Sequence, residues 1–321
     1  YSPGVPHEIG VDDLHAIGEQ FEASVRDHAD RVAFVSGAAG VGITYRQLDV
    51  LSRNVAAYLQ SVLKLPPGSR VALMLPNLLQ FPVCLLGALR AGYVVVTVNP
   101  LYTARELEHQ LADSGAEAIF ILENMAHVLE KVVACTPVRH VVVTGVGDLL
   151  GFPKRHLAHF VVRRVRKMVP RFSLHGAVTF DAMLAQGAAA GFEPVRVASD
   201  DLAFLQYTGG TTGVSKGAML THRNLLANAR QGEVLSDPFL DPEDEFVLVT
   251  AIPLYHIFAL GSAVSNIVRG GVNVLVSDPR NTDALVKLLA KYRFGALPAV
   301  NTLFNRLVQH PDFSKVGVSR L

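Results

Sequence analysis

Two periodicities alternate along the 321 residues. Short, nearly continuous apolar runs recur at Val71–Leu75, Tyr93–Val98, Ala118–Leu122, His140–Thr144, Phe246–Thr250 and Val272–Val276. Runs of this length, rich in β-branched residues and without a polar alternate face, predict strands buried on both sides. Between them, helical patterns run from Thr44 to Lys64, Leu78 to Arg90, Thr103 to Ser114 and Thr282 to Tyr292. Thr103-Ala-Arg-Glu106 reads as a capping box, a hydroxyl at the helix start with a glutamate three residues on. Buried strands separated by helices specify an α/β fold with layered, mainly parallel sheets and helices on both faces. The pattern weakens between about Gly145 and Asp200, which includes the Ala/Gly-rich stretch Ala185–Gly191. A division is expected inside that segment, with a first lobe of residues 1–185 and a second of 186–321.

Composition narrows the classes. Half the residues are hydrophobic and 18% are charged, which excludes a disordered chain, a collagen-like repeat and a small disulfide scaffold. A net charge of +1 argues against a globally nucleic-acid-binding protein, and no nucleic-acid partner is expected. That sum hides an asymmetry: Leu149 to Phe180 holds seven Lys or Arg and no acidic residue, leaving the rest of the chain at −6. Within it, residues 155–169 read as a basic amphipathic helix. Leu157, Phe160, Val161, Val165, Met168 and Val169 share one face, and Arg155, Arg163, Arg164, Arg166 and Lys167 supply the charge. Two readings of this helix stay open. One is peripheral docking on an anionic membrane surface, where each cation contributes about 1 kcal/mol. The other is an ordinary surface helix whose apolar stripe packs on a sheet.

Cys84 and Cys135 lie in apolar surroundings outside any CxxC or Cys/His cluster, and are expected to be buried free thiols in a reducing cytosol. The start, Tyr1-Ser-Pro-Gly-Val5, has no signal-peptide character. The longest apolar stretch, Phe81 to Val98, is interrupted by Arg90 and Gly92 and reads as a buried helix followed by a buried strand. The expectation is a soluble, cytoplasmic protein. No metal-ligand spacing such as HExxH is present, so no metal-ligating residue is assigned.

The segment that carries chemistry follows the apolar run Leu202–Leu205. Gly209, Gly210 and Gly213 allow a tight turn with backbone N–H groups against an anion; Thr208, Thr211, Thr212 and Ser215 add hydroxyls, and Lys216 adds a cation. Donors without bulk plus one positive charge suit a polyphosphate. It is not a Walker A loop, because Ser215 precedes the lysine and Gly217 follows it. The bland alternative is a flexible Gly/Thr turn. Gly213-Val-Ser-Lys-Gly217 also matches the GxSxG spacing of a serine hydrolase, but that elbow needs strand, serine and helix in immediate succession, and Ser215 lies ten positions after Leu205.

Tyr207-Thr-Gly-Gly-Thr-Thr-Gly-Val-Ser-Lys-Gly217 resembles the phosphate-binding signature of the adenylate-forming superfamily, which includes acyl-CoA ligases, luciferases and peptide-synthetase adenylation domains. Pro253-Leu-Tyr-His-Ile-Phe258 resembles that superfamily's next motif. Met74-Leu-Pro-Asn-Leu-Leu-Gln80 and Asn99-Pro-Leu-Tyr-Thr-Ala-Arg-Glu-Leu107 are similar to bacterial long-chain fatty-acid–CoA ligases, and the likeness runs from Gly4 to Phe304.

The resemblance implies activation of a fatty acid with ATP and Mg²⁺, then transfer to coenzyme A. It would place Thr208, Gly209, Gly210, Thr211, Thr212, Gly213 and Lys216 on the β- and γ-phosphates, with Lys216 and His256 in catalytic roles. Tyr255, His256, Leu260 and Val264 would then form the acyl site, on a tunnel helix at residues 255–269. His256 reads otherwise as a cap on an apolar helix, and the apolar residues after it are equally those of any buried helix. Some relatives carry a tryptophan gate four residues after this histidine; Leu260 stands there and the chain has no Trp, so the gate does not carry over. The family's adenine segment with its Mg²⁺-contacting Glu, its ribose-holding Asp and its C-terminal catalytic Lys cannot be placed before Leu321. The expectation is therefore the N-terminal portion of such an enzyme, its C-terminal domain absent and the fragment inactive alone. A fatty acyl-AMP ligase, another acid–CoA ligase of the same superfamily and a non-catalytic nucleotide- or acyl-binding module are the alternatives, and a homodimer is among the partners considered.

Overall fold

The computed structural model describes residues 5–208, 214–236 and 245–317. In chain order, helix α1 (Ile17–His28) precedes the hairpin β1 (Val32–Ser36) and β2 (Val41–Thr44), then α2 (Tyr45–Ala57), β3 (Arg70–Met74), α3 (Gln80–Arg90), β4 (Val94–Thr97) and α4 (Ala104–Ser114). There follow β5 (Ala116–Leu122), α5 (Ala126–Glu130), β6 (His140–Thr144), α6 (Lys154–Phe160), β7 (Val178–Thr179), α7 (Phe180–Ala190), β8 (Leu202–Thr208) and β9 (Lys216–Thr221). The last described elements are α8 (His222–Ser236), β10 (Val247–Thr250), α9 (Ile257–Val268), β11 (Val272–Leu275), α10 (Thr282–Leu289) and α11 (Asn301–Val308). Each of the six apolar runs forms a strand, and the Thr103–Glu106 box closes in both directions at the start of α4.

The chain forms two compact units, residues 48–221 and residues 1–47 with 222–321. The 48–221 unit carries a seven-stranded sheet in the order β7-β6-β5-β3-β4-β8-β9. Its pairings are parallel except β8 with β9. Every residue of α3 is buried, which is why its sequence is apolar all round. Arg90 is enclosed there with its side chain 1% exposed; Nη1 donates to Asp49 Oδ1 at 2.7 Å and to Ser52 Oγ at 2.9 Å, and the guanidinium stacks 5.6 Å over the Phe192 ring. α3 also meets α2 closely at Gly87, where a Cβ would come within 2.5 Å of Val55.

The other unit holds a four-stranded sheet, β10-β11-β1-β2. β1 runs parallel to β11, with Phe34 opposite Asn273, and antiparallel to β2. Val249, Val274, Leu285, Leu289, Phe294 and Leu307 form the centre of its core.

The division falls elsewhere than the 185/186 boundary expected from sequence. Strand β8 hydrogen-bonds to β4, pairing Val95, Val96 and Thr97 with Phe204, Leu205 and Gln206, so residues up to 221 join the seven-stranded sheet. β1 and β2 join strands from the far end of the chain. Of the two cysteines, Cys84 is buried, with its thiol pushed up by desolvation, whereas Cys135 is exposed, contrary to expectation.

The basic segment is shorter than the expected 155–169 helix. α6 continues as a π-helical turn, Val161–Val165, and the chain then leaves the helix, with Lys167 in the left-handed region at φ 51°. Arginine ion pairs hold it down: Arg155 reaches Asp148 at 3.5 Å and also Asp181, and Arg163 grips Glu123 at 2.7 Å. His159 Nε2 lies 3.2 Å from Asp148 Oδ1. Gly145 lets it approach, since a Cβ there would fall 2.6 Å from His159 Nε2. Leu157, Phe160, Val165 and Met168 are 51–63% exposed. Those four do not pack on a sheet, so for them the ordinary-surface-helix reading fails. Among the described residues no helix is long and apolar enough to cross a membrane.

Candidate functional site

In the 48–221 unit, β8 and β9 place the two ends of the glycine-rich segment opposite each other. Thr208 pairs with Lys216, and Tyr207 with Gly217. Directly opposed residues in an antiparallel pair share a sheet face, so the exposed Thr208 hydroxyl and Lys216 ammonium stand at one mouth. Gly209, Gly210, Thr211, Thr212 and Gly213, the remaining expected phosphate ligands, lie outside the described residues.

Ser215 Oγ donates to the Thr208 carbonyl at 2.9 Å, a cross-link at the base of the turn. Ser215 enters a strand, not a helix, so the nucleophile-elbow context is missing. Behind the mouth, the Tyr207 hydroxyl donates to Asp113 Oδ2 at 2.5 Å. Burial first, and then that carboxylate, raise the Tyr207 phenol well above its usual range and keep it a hydrogen-bond donor. The ring lies across Gly217, where a Cβ would meet Cε2 at 2.9 Å, so this position needs glycine for close approach. His109 Nε2 sits 3.0 Å from the Ser215 carbonyl oxygen. Sequence reasoning missed His109 and Asp113. Their signal was a spacing of four on α4, which puts both on one helix face.

In the other unit, His256 occupies the N-cap position of α9 with extended backbone (φ −90°, ψ 135°) and makes no side-chain capping bond. Its ring centroid lies 4.3 Å from that of Tyr255. Desolvation lowers its pKa, which favours the neutral imidazole. A cavity of about 880 Å³ lies along α9 and α8 within this unit. Phe258, Gly261, Ser262, Ser265 and Arg269 line it from one face of α9. Leu260 and Val264, expected at an acyl site, are 0% and 1% exposed, sit on the helix's core face and are not among the residues lining this cavity.

Among the described residues, no group of three His, Cys, Asp or Glu could hold a metal ion. A hydroxyl and an ammonium at the mouth suit an anion.

The profile of the AMP-binding enzyme family matches residues 21–320. A long-chain-fatty-acid–CoA ligase of Escherichia coli O157:H7 is 52% identical over all of this chain and 57% of its own length. The chain thus spans little more than half the length of the curated relatives it matches. Among solved structures, an anthranilate CoA ligase complexed with anthranoyl-AMP superposes with a TM-score of 0.78 at 17% identity, covering 98% of this chain and 55% of its own. A long-chain-fatty-acid-CoA ligase from Archaeoglobus fulgidus gives 0.72 at 23% identity, covering 95% and 57%. At those identities the two structures speak for the fold alone. With the family profile matched from residue 21 to 320, the chain belongs to the AMP-binding enzyme family.

Proposed function

We propose that this chain is the nucleotide-binding part of an ATP-dependent long-chain fatty-acid–CoA ligase. The observation that carries the reading is the paired mouth of Thr208 and Lys216, braced by Tyr207 and Ser215, in a chain of this family. In the proposed reaction the fatty-acid carboxylate attacks the α-phosphorus of MgATP. A new P–O bond forms, the bond to the β-phosphate breaks, and pyrophosphate leaves. The sulfur of CoA then attacks the acyl carbonyl and AMP departs, giving the thioester. Such a displacement depends on positioning and on neutralising charge on the departing group.

Thr208 and Lys216, with residues 209–213, would hold the β- and γ-phosphates, and Mg²⁺ would arrive with the nucleotide as part of the substrate. The neutral imidazole of His256, with Tyr255 beside it, would orient the carboxylate. The 880 Å³ cavity along α9 would take the acyl chain, with Leu260 and Val264 supporting its wall from the core side. In a polypeptide of the relatives' full length, Lys216→Ala should slow fatty-acid-dependent ATP–pyrophosphate exchange by roughly a hundredfold, the usual cost of removing one preorganised charge donor. An unchanged exchange rate rejects the reading.

A second element of the proposal is a peripheral location on the inner face of the cytoplasmic membrane. The exposed Leu157, Phe160, Val165 and Met168 favour it, together with Arg164, Arg166 and Lys167 beside them. Arg155 and Arg163 contribute less, because their guanidinium groups already serve Asp148, Asp181 and Glu123.

A further inference from the structure

Helix α4 touches both stems of the glycine-rich turn, one through Asp113 and the other through His109. Asp113 accepts from Tyr207 at the end of β8, and His109 Nε2 meets the carbonyl of Ser215, the residue before Lys216. The two side chains are four residues apart on α4, so the helix sets their separation at about 6 Å along its axis.

The helix is itself held firmly. Thr103 and Glu106 cap its start reciprocally, Gly115 closes its end in the left-handed conformation, and Leu107 and Leu111 are fully buried. Gln110 Nε2 donates to the Thr97 carbonyl at 2.9 Å, tying α4 to the end of β4, the strand beside β8. Each stem of the turn is therefore pinned to the same rigid body.

Resting on the reading of this turn as the phosphate-binding element, we propose that His109 is a positioning residue for MgATP. Its Nε2–H donates to the Ser215 carbonyl and fixes the peptide that leads into Lys216, while Asp113 and Tyr207 fix the opposite stem. Both tautomeric and charge arguments converge on one atom: only a proton on Nε2 suits a carbonyl acceptor, and both the Nε2–H tautomer and the imidazolium carry it. Stems fixed in this way hold Thr208 and Lys216 opposite each other before a polyphosphate arrives, so the effect belongs to nucleotide binding.

The test uses the polypeptide of the relatives' full length, with pyrophosphate exchange measured against MgATP and against hexadecanoate. His109→Ala should raise KM for MgATP by about tenfold, leaving KM for hexadecanoate and the thermal midpoint unchanged. His109→Gln, whose amide N–H reaches the same carbonyl, should restore the wild-type value. Tyr207→Phe, which removes the bond to Asp113, should raise KM for MgATP in the same way, and it carries the test if His109→Ala fails to fold. Three results overturn the proposal while leaving the phosphate reading intact, provided Lys216→Ala is impaired in parallel. They are a wild-type KM for MgATP in His109→Ala, an equal rise for both substrates, and a glutamine variant no better than alanine. If Lys216→Ala also saturates normally with MgATP, the phosphate reading falls and this inference falls with it.

Discussion

Arg90 shows what a single side chain contributes to this fold. Its guanidinium is buried against Asp49, Ser52 and the Phe192 ring, inside a helix with no exposed residue. Breaking a buried pair by removing one partner leaves a charge the interior cannot solvate, at a cost of about 3 kcal/mol or more. Asp49→Ala should lower the free energy of unfolding by that amount in a denaturant titration; a change below about 1 kcal/mol would place the pair with weak surface bridges. At this scale Lys216 and His256 stand out in the sequence because each lies in a polar or aromatic motif unlike its surroundings. For Leu260 and Val264 the sequence says less: α9 is apolar around most of its circumference, so its periodicity says that it is buried but not which face borders a cavity.

Elements were legible where burial is symmetric. β3, β4, β5 and β6 carry apolar residues on both faces and announce themselves as runs. β1 and β2 do not, because the hairpin is short and crowded by Gly37, Gly40 and Gly42. α6 is the reverse case: Leu157 and Phe160 face solvent, and Arg155 ties the helix down through Asp148 and Asp181. This arrangement leads to a partitioning experiment. Anionic vesicles should co-sediment the protein at low salt, and replacing Arg164, Arg166 and Lys167 together by Gln should lower the partition coefficient roughly a hundredfold, at about 1 kcal/mol per cation. Absence of co-sedimentation by the unaltered protein removes the membrane proposal.

For the whole molecule, the boundary placed near 185 followed composition, and composition carries no information about which strand a later strand will join. The pairing of β8 with β4 and of β1 with β11 overrides the Ala/Gly-rich segment that looked like a connection. The discontinuous unit should therefore respond as one body. Leu285→Ala, a core truncation costing about 2–5 kcal/mol, should speed amide exchange in β1 as much as in β11 while leaving β3 and β5 protected. Retained protection in β1 would show that the hairpin is stable on its own.

The same pairing sets a schedule for synthesis. Phe34 and its partner Asn273 are separated by some 240 residues, which at 5–20 residues per second takes the ribosome about 12 to 48 s. Through that interval the first hairpin has an open edge and no sheet to complete. The 48–221 unit, continuous in sequence, has no such wait. An exposed strand edge invites wrong partners, so the earliest-made part of this chain is the part most in need of a chaperone's cover.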